Sequence, residues 1–457
     1  MRRIASRAWV LWVLMAAILA GIGFFGYEYV KKAETWVLHS GNPHVYEGGA
    51  QMLQLGKIQD RDGVFLASLH GGRTYAQDPM VREATLHWLG DRSGNIRGAV
   101  LQHYAGALTG YSLVDGLYGY GGGGATAQLT LSAQVQRTAL EALGSYKGTI
   151  AVLNYRTGEI LCAVSTPSFD PDAVPDLSAD AYSGVYWNRF TQASYVPGSI
   201  FKIVTTAAAL ETGQDMQQRS YTCTGTQKLA GGTVSCERAH GTQELKQALR
   251  NSCNCYYADL TVALGKEKMQ AYVQNCGVLA PVSFDGIRTA SGYFDVSSAA
   301  QVELGWAGVG QYTNLINPCA FLCYVGAIAN DGQSVQPYVM ASIIAGQKEV
   351  YAAKTQLRER VMFPETAAVL QAYMRNNVEN NYGDGNFPKG MTVCAKSGTG
   401  EVDDARKPYA MFTGFVMEDA YPLAFLVAVE DAGYGKQVCV PMIARVLESC
   451  QWVLDRR

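Results

Sequence analysis

Twenty consecutive residues near the start of the chain, "AWVLWVLMAAILAGIGFFGY" from Ala8 to Tyr27, carry no charged side chain. A run of that length and apolarity matches a bilayer crossed once as a helix. Arg2, Arg3 and Arg7 stand just before it, and basic flanks stay on the cytoplasmic side. The expected topology is therefore a cytoplasmic tail over 1–7, a single-pass anchor in the cell membrane over 8–30, and an extracytoplasmic remainder. Trp9, Trp12 and Tyr27 fall near the ends of the span, where amphipathic rings suit an interface. The alternative is a cleaved signal peptide. That would have a shorter apolar run and a small-x-small site behind it, whereas Ile22, Phe24 and Phe25 crowd "LAGIGFFG".

The chain has 457 residues, too many for one small core, so the part beyond the anchor divides. Four successive glycines, Gly121 to Gly124, mark a hinge or boundary. No Gly-Lys-Ser/Thr follows them, which argues against a phosphate-cradling loop. The expected division is a spacer or pedestal domain over 31–124 and a larger domain over 125–457. In the first, "GKIQDRDGVFLASL" reads as strand, turn and strand around Asp62-Gly63. In the second, "SAQVQRTALEALGSY" is an amphipathic helix capped by Ser132, and "KGTIAVLNYRTGEILCAVS" is a hairpin turning at Arg156–Glu159. Two more strands, "YAMFTGFVM" and "PLAFLVAVED", precede a closing helix, "VPMIARVLESCQWVLD". Strands at both ends with helices between them give an α+β class, with one sheet assembled from distant segments and covered by helices. The formal net charge is −2, which gives no basic surface for nucleic acid.

The eleven cysteines are an odd number. Cys223 and Cys236 flank a hairpin, "TGTQKLAGGTVS", and a disulfide between them and two free thiols both remain open. Cys253 and Cys255 read as small packing residues. The six histidines have no zinc-like spacing to a cysteine or acid cluster, so no metal is expected.

Three short motifs carry candidate chemistry. In "SYVPGSIFKIVTTAAALE" every side chain from Ser199 to Leu210 is apolar or a small hydroxyl except Lys202. A helix beginning near Ser199 puts Lys202 under the serine hydroxyl. Burial lowers a lysine's pKa and makes the neutral amine a usable base, so Ser199 is a candidate nucleophile and Lys202 its base. The bland reading is a capping serine with a lysine reaching for solvent. Next, Ser252-Cys253-Asn254 in "LRNSCNCYYADL" places a hydroxyl and an amide on one side of a tight loop, able to relay a proton and hold Lys202 or a substrate amide; otherwise Ser252 is an N-cap. Last, in "VCAKSGTGE", Gly398 admits a ligand to a strand edge. Lys396, Ser397 and Thr399 suit a carboxylate there, and the Thr399 N–H would join that of Ser199 in an oxyanion hole. The bland reading is a polar turn between strands.

Together and in this order, these motifs resemble the Ser-x-x-Lys, Ser-x-Asn and Lys-Ser/Thr-Gly set of the class B penicillin-binding proteins, which are peptidoglycan D,D-transpeptidases. The spacing agrees: 53 positions separate Ser199 from Ser252, and 144 separate Ser252 from Lys396. "WNRFTQASYVPGSIFK" is similar to the family's Asn-Arg approach to the nucleophile, and "CAVSTPSFDPD" to the segment after its first hairpin. "GVGQYTNLINP" followed by "AIANDG" is similar to its Gly-Gln-Gly and Ala-Asn-x-Gly region, with Tyr312 where a glycine is common. Cys253 stands where some members have Asp. "QDRDGVFLA" is similar to the family's pedestal.

The resemblance implies the serine transpeptidase/β-lactamase-like fold and a cofactor-free reaction. Ser199 would attack a D-alanyl-D-alanine stem peptide, Lys202 would take its proton, and Ser252 would pass one to the leaving amine. Asn254 would orient the peptide, while Lys396, Ser397, Gly398 and Thr399 would hold its terminal carboxylate. β-Lactams would acylate Ser199. A polytopic glycan-polymerising glycosyltransferase is the implied membrane partner. Two rivals share the motifs: a serine β-lactamase or D,D-carboxypeptidase, and a non-catalytic β-lactam sensor or scaffold. The anchor and the long region before the motifs favour a transpeptidase over the first. The seven residues before the span leave no room for the output domain that a sensor needs. The region before Thr126 is likewise too short for a fused glycosyltransferase.

Overall fold

The computed structural model describes residues 2–37, 56–68, 73–109, 125–212, 216–402 and 406–456. The glycine run at Gly121–Gly124 lies outside the described residues. The first element is a helix, Arg2–Val37, whose segment Ala8–Lys32 is long and apolar enough to cross a membrane. Its apolar side chains, Leu11, Ile18 and Phe24 among them, are exposed rather than packed on protein.

The centre of the larger domain is a five-stranded antiparallel sheet. Its strand order is Val393–Gly400, Tyr409–Val416, Leu423–Val429, Gly148–Asn154, Ile160–Thr166. The two termini of the domain thus meet in mid-sheet, where Leu423–Val429 pairs with Gly148–Asn154. All seven residues of Leu423–Val429 are buried. The period of two along a strand explains how. Leu423, Phe425, Val427 and Val429 enter one apolar cluster, Ala424, Leu426 and Ala428 the other. The helices Ala133–Leu143 and Gly435–Leu454 cover the first face, and Pro318–Ala329 lies on the second. Asn154 sets the hairpin between the first two strands, its side chain accepting the N–H of Arg156 at 2.9 Å and of Thr157 at 3.1 Å. The fold is α+β with the architecture expected from the strand and helix pattern.

A six-stranded sheet crosses the boundary expected at 124/125. Thr126–Leu129 pairs in parallel with Lys57–Gln59 on one side and antiparallel with Met340–Ala345 on the other. Buried Asp60 reinforces the junction. Its carboxylate accepts the N–H groups of Asp62 and Val64 in the Asp62-Gly63 turn, each at 2.8 Å, and that of Ala133 at 2.9 Å.

Candidate active site

The chain reaches Ser199 through a segment pinned at several points. Asn188 caps the short helix Arg189–Gln192 through the Phe190 N–H. Arg189 pairs with Glu430 at 2.7 Å, and Tyr195 donates to the same carboxylate at 3.1 Å. A 3-10 turn, Gly198–Phe201, then runs into the helix Lys202–Thr212. Gly198 has φ +52°, and a Cβ there would stand 2.1 Å from the Thr399 carbonyl oxygen. A Cβ on Gly398 would stand 2.8 Å from that of Pro197. Glycine is therefore needed at both places for the nucleophile turn and the Lys396–Thr399 strand to touch. What Gly398 admits is the turn carrying Ser199.

Lys202 is completely buried. Its Nζ lies 2.9 Å from Ser199 Oγ, 3.1 Å from Ser252 Oγ, 2.7 Å from the Ser252 carbonyl oxygen and 2.7 Å from Asn254 Oδ1. The Tyr257 ring lies beneath it, 5.6 Å from Nζ to the centroid. Burial lowers its pKa to about 7, against an opposing pull from negative charge on the thiols of Cys253, Cys236 and Cys255. The count of partners matters. A carbonyl and an amide oxygen can only accept, so a neutral amine gives both its protons to Ser252 O and Asn254 Oδ1. Its lone pair is then left for a hydroxyl that donates. Ser199 is half-buried.

Ser252 closes the helix Leu245–Asn251 in the left-handed region at φ +52°. That conformation costs a non-glycine residue energy, and its retention at a functional site fits stored strain. Cys253, not Ser252, caps the helix Asn254–Leu264, its sulfur accepting the Tyr256 N–H at 3.4 Å. The N-cap reading of Ser252 is thereby replaced. Ser252 Oγ sits between two amines, because Lys396 Nζ also donates to it at 3.1 Å.

Lys396 lies on Val393–Gly400, the edge strand of the five-stranded sheet, and is 1% exposed. It donates to the Ser397 carbonyl at 2.8 Å. Burial pushes its pKa well down, and the positive charge of Lys202 adds to the effect. Ser397 and Thr399, further along the strand, are half-buried. Tyr382 escaped the sequence reading. Its hydroxyl accepts the Ser397 N–H at 2.8 Å and donates to Ser397 Oγ at 2.9 Å, which leaves the serine's own proton free for a ligand. Gln311, in the loop after Gln301–Val309, brackets the strand end by pairing both ends of its amide with the Glu401 backbone at 3.0 and 3.2 Å. Tyr312 beside it has φ +68°, the glycine-favoured region, at the position where a glycine is common.

The structure thus brings Ser199, Lys202, Ser252, Asn254 and Lys396 into one hydrogen-bonded cluster, with Ser397, Gly398 and Thr399 along the adjoining strand. The hairpin flanked by Cys223 and Cys236 is present as Thr226–Leu229 with Gly232–Ser235, while Cys223 itself pairs with Gly241 in a separate ribbon. Of the two alternatives left open by the sequence, the thiols are free: no disulfide forms among the described residues, and the two sulfurs are 3.9 Å apart. Cys253 is more than a packing residue, since it caps a helix, and a cysteine–histidine group comes together in space although the sequence has no zinc-like spacing. Cys223, Cys236, His240 and Cys253 hold their ligand atoms within 4.8 Å of one another. The linear spacing hid this because two ribbons and a helix cap contribute the four.

The family described as "Penicillin binding protein transpeptidase domain" matches residues 148–448. The chain is similar to the peptidoglycan D,D-transpeptidase PbpA of Mycolicibacterium smegmatis, 30% identical over 364 residues, 73% of either chain. Among solved structures it is similar to the D,D-transpeptidase domain of a peptidoglycan glycosyltransferase from Eggerthella lenta. There the TM-score is 0.76 and the identity 24%, over 88% of this chain and 99% of that one. It is also similar to the ceftriaxone acyl-enzyme complex of penicillin-binding protein A from M. tuberculosis. That match has TM-score 0.74 and 24% identity, covering 87% of this chain and 98% of the other.

Proposed function

Because the chain belongs to the penicillin-binding protein transpeptidase family and is a peptidoglycan D,D-transpeptidase, we propose that Ser199 is its nucleophile and Lys202 the base that activates it. The observation that carries this is the set of four oxygens around Lys202 Nζ, two of which can only accept. They leave the neutral amine one lone pair, with the Ser199 hydroxyl 2.9 Å away to fill it.

In the first half-reaction Ser199 Oγ attacks the carbonyl between the two terminal D-alanines of a stem peptide, and its proton passes to Lys202 Nζ. The backbone N–H groups of Ser199 and Thr399 take the developing oxyanion charge. Ser252, within reach of both amines, hands its proton to the departing amino group and takes one back from Lys202, and the last D-alanine leaves as the C–N bond breaks. Asn254 orients the donor peptide, while Lys396, Ser397 and Thr399 hold its terminal carboxylate, with Gly398 keeping the strand clear. In the second half the amine of another stem peptide attacks the acyl-enzyme. Its proton returns through the same relay, a new amide forms, and Ser199 is regenerated. β-Lactams enter by the first half and stay as the acyl-enzyme.

The protein is membrane-anchored by its N-terminal helix. Arg2, Arg3 and Arg7 support a cytoplasmic N-terminus and a catalytic domain outside, in reach of peptidoglycan. A glycan-polymerising glycosyltransferase in the same membrane is the fitting partner for the helix and the pedestal. The test is intact mass with peptide mapping after benzylpenicillin. One adduct on the peptide holding Ser199, absent from Ser199→Ala, supports the assignment. Covalent uptake by Ser199→Ala overturns it.

A further inference from the structure

Four ligand atoms beside the cleft have the spacing of a metal's coordination shell. Cys223 Sγ lies 3.9 Å from Cys236 Sγ and 3.6 Å from His240 Nδ1, and Cys236 Sγ lies 3.7 Å from Cys253 Sγ. A tetrahedral ion with metal–sulfur bonds of about 2.3 Å and metal–nitrogen bonds of about 2.0 Å sets its ligand atoms roughly 3.5 to 3.8 Å apart. A disulfide would require about 2.05 Å for one pair and would leave the other two ligands without a purpose.

The hydrogen bonds separate these sulfurs from ordinary thiols. Each of the three cysteines accepts a backbone N–H at 3.4 Å: Cys223 from Gly225, Cys236 from Cys255, and Cys253 from Tyr256. Three inward N–H dipoles suit thiolates. Cys255, only 3.5 Å from Cys236, behaves differently, since its sulfur faces the Val234 carbonyl as a donor. Among these sulfurs, those that accept a backbone N–H are the same three that belong to the mutually spaced set.

The local fold also has little apolar cover of its own. The segment from Tyr221 to Gln243 forms two separate two-stranded ribbons, Tyr221–Cys223 with Gly241–Gln243 and Thr226–Leu229 with Gly232–Ser235. Of their fourteen strand residues only Cys223, Val234 and Gln243 are buried. Two-stranded ribbons with so little apolar cover are marginal alone, and a bound metal supplies the missing cross-link.

We propose that Cys223, Cys236, His240 and Cys253 bind one zinc ion, which staples these ribbons to the Ser252–Asn254 loop. Three sulfurs and one imidazole in a closed tetrahedral set select zinc over the hard, oxygen-seeking cations. Binding takes His240 neutral and the three cysteines as thiolates, so any thiol proton still present is released. Cys253 lies between Ser252 and Asn254, the two residues that surround Lys202. Asn254 Nδ2 in turn donates to the Ser235 carbonyl at 2.9 Å, next to Cys236. The metal therefore acts as a positioning element for the loop. It touches no reacting atom.

The test uses the full-length protein, extracted from membranes in detergent without added chelator. The expected metal content is one zinc per chain, lost in Cys223→Ser and His240→Ala and kept in Cys255→Ser. Replacing zinc with Co2+ is expected to give the intense thiolate-to-metal and tetrahedral d–d absorptions of a sulfur-rich site. Stripping the metal is expected to slow acylation by fluorescent penicillin by about ten-fold, restored by Zn2+ alone. The proposal is overturned by a wild-type protein without stoichiometric zinc, by zinc that persists in both ligand variants, or by a disulfide joining any two of the three cysteines. An acylation rate unmoved by stripping overturns the positioning role. Metal content is read without acylation, so it fails or succeeds independently of the Ser199 assignment.

Discussion

Lys202 and Lys396 face each other across the cleft, both closed to solvent and both 3.1 Å from the Ser252 hydroxyl. One stands on a helix, the other on the edge strand of a sheet. Burial lowers the pKa of both, so burial alone does not distinguish their work. Their partners do. Lys202 is ringed by four oxygens, and two of them can only accept. Lys396 has one such oxygen, the Ser397 carbonyl, and the strand beyond it carries the half-buried hydroxyls of Ser397 and Thr399. The helix wall supplies everything a neutral amine needs. The strand wall leaves an amine with fewer acceptors, which suits the proposed role of holding a ligand's negative charge. In a dry site, the number of obligate acceptors around an amine separates a base from an anion holder.

The largest effect falls on the helix wall. Lys202→Met keeps the length of the side chain and removes the proposed base, and acylation by benzylpenicillin is expected to fall about 10³-fold. The pH profile shows whether the lost group is that amine. An ammonium has no lone pair and cannot accept the serine proton, so the active form is the deprotonated one. With a pKa of about 7, wild-type acylation rises about ten-fold per pH unit below neutrality and levels off above it. The residual rate of Lys202→Met lacks that limb. An unchanged limb in the variant would move the titration to another group and erase the contrast between the walls.

The strand wall should respond differently. Lys396→Ala removes one charge-assisted contact to the ligand's carboxylate, worth about 2 kcal/mol, or about thirty-fold in second-order acylation. The loss belongs to capture, so it appears in the concentration dependence more than in the limiting rate. Esterifying the penicillin carboxylate provides the cross-check. The wild type should lose a similar factor on the ester, and Lys396→Ala should barely tell acid from ester. A variant equally impaired on both would make Lys396 part of the proton relay through Ser252, and the two walls would then do the same job.

How much of this could be read beforehand depends on how locally each contact is encoded. Ser199 and Lys202 are three residues apart on one turn, so their meeting follows from helical geometry. The sheet strands follow from apolar runs, and their buried alternation from the period of two. The meeting of Ser252 with both lysines has no local signal, and only the resemblance of the motif set pointed to it. Ser252 read equally well as a cap, because nothing in "NSCNC" announces a left-handed residue. The expected boundary at 124/125 missed the pairing of Thr126–Leu129 with Lys57–Gln59, since parallel pairing across a long connection leaves no turn to recognise. The cysteine–histidine grouping was missed for a related reason. Its members sit at the ends of separate ribbons and at a helix cap, so no regular spacing records it.

Tyr382 offers the finest probe, because it acts on the strand wall without facing the ligand. It is fifteen residues from Ser397 in sequence and meets it only through the π-turn Val378–Tyr382. Its hydroxyl takes the Ser397 N–H and points its own proton at Ser397 Oγ. That arrangement turns the serine's proton outward, along the same edge as Lys396. Tyr382→Phe keeps the ring stacked edge-on against Phe412 and removes only the hydroxyl. The Ser397 hydroxyl then rotates freely and its N–H loses a partner, a change of about 1 kcal/mol, or about five-fold in acylation. The effect should appear with the free-acid penicillin, shrink with its ester, and leave the limb near pH 7 in place, because Lys202 is untouched. A shift of that limb in Tyr382→Phe would tie the strand wall to the base on the helix, and the division of labour between the two lysines would no longer hold.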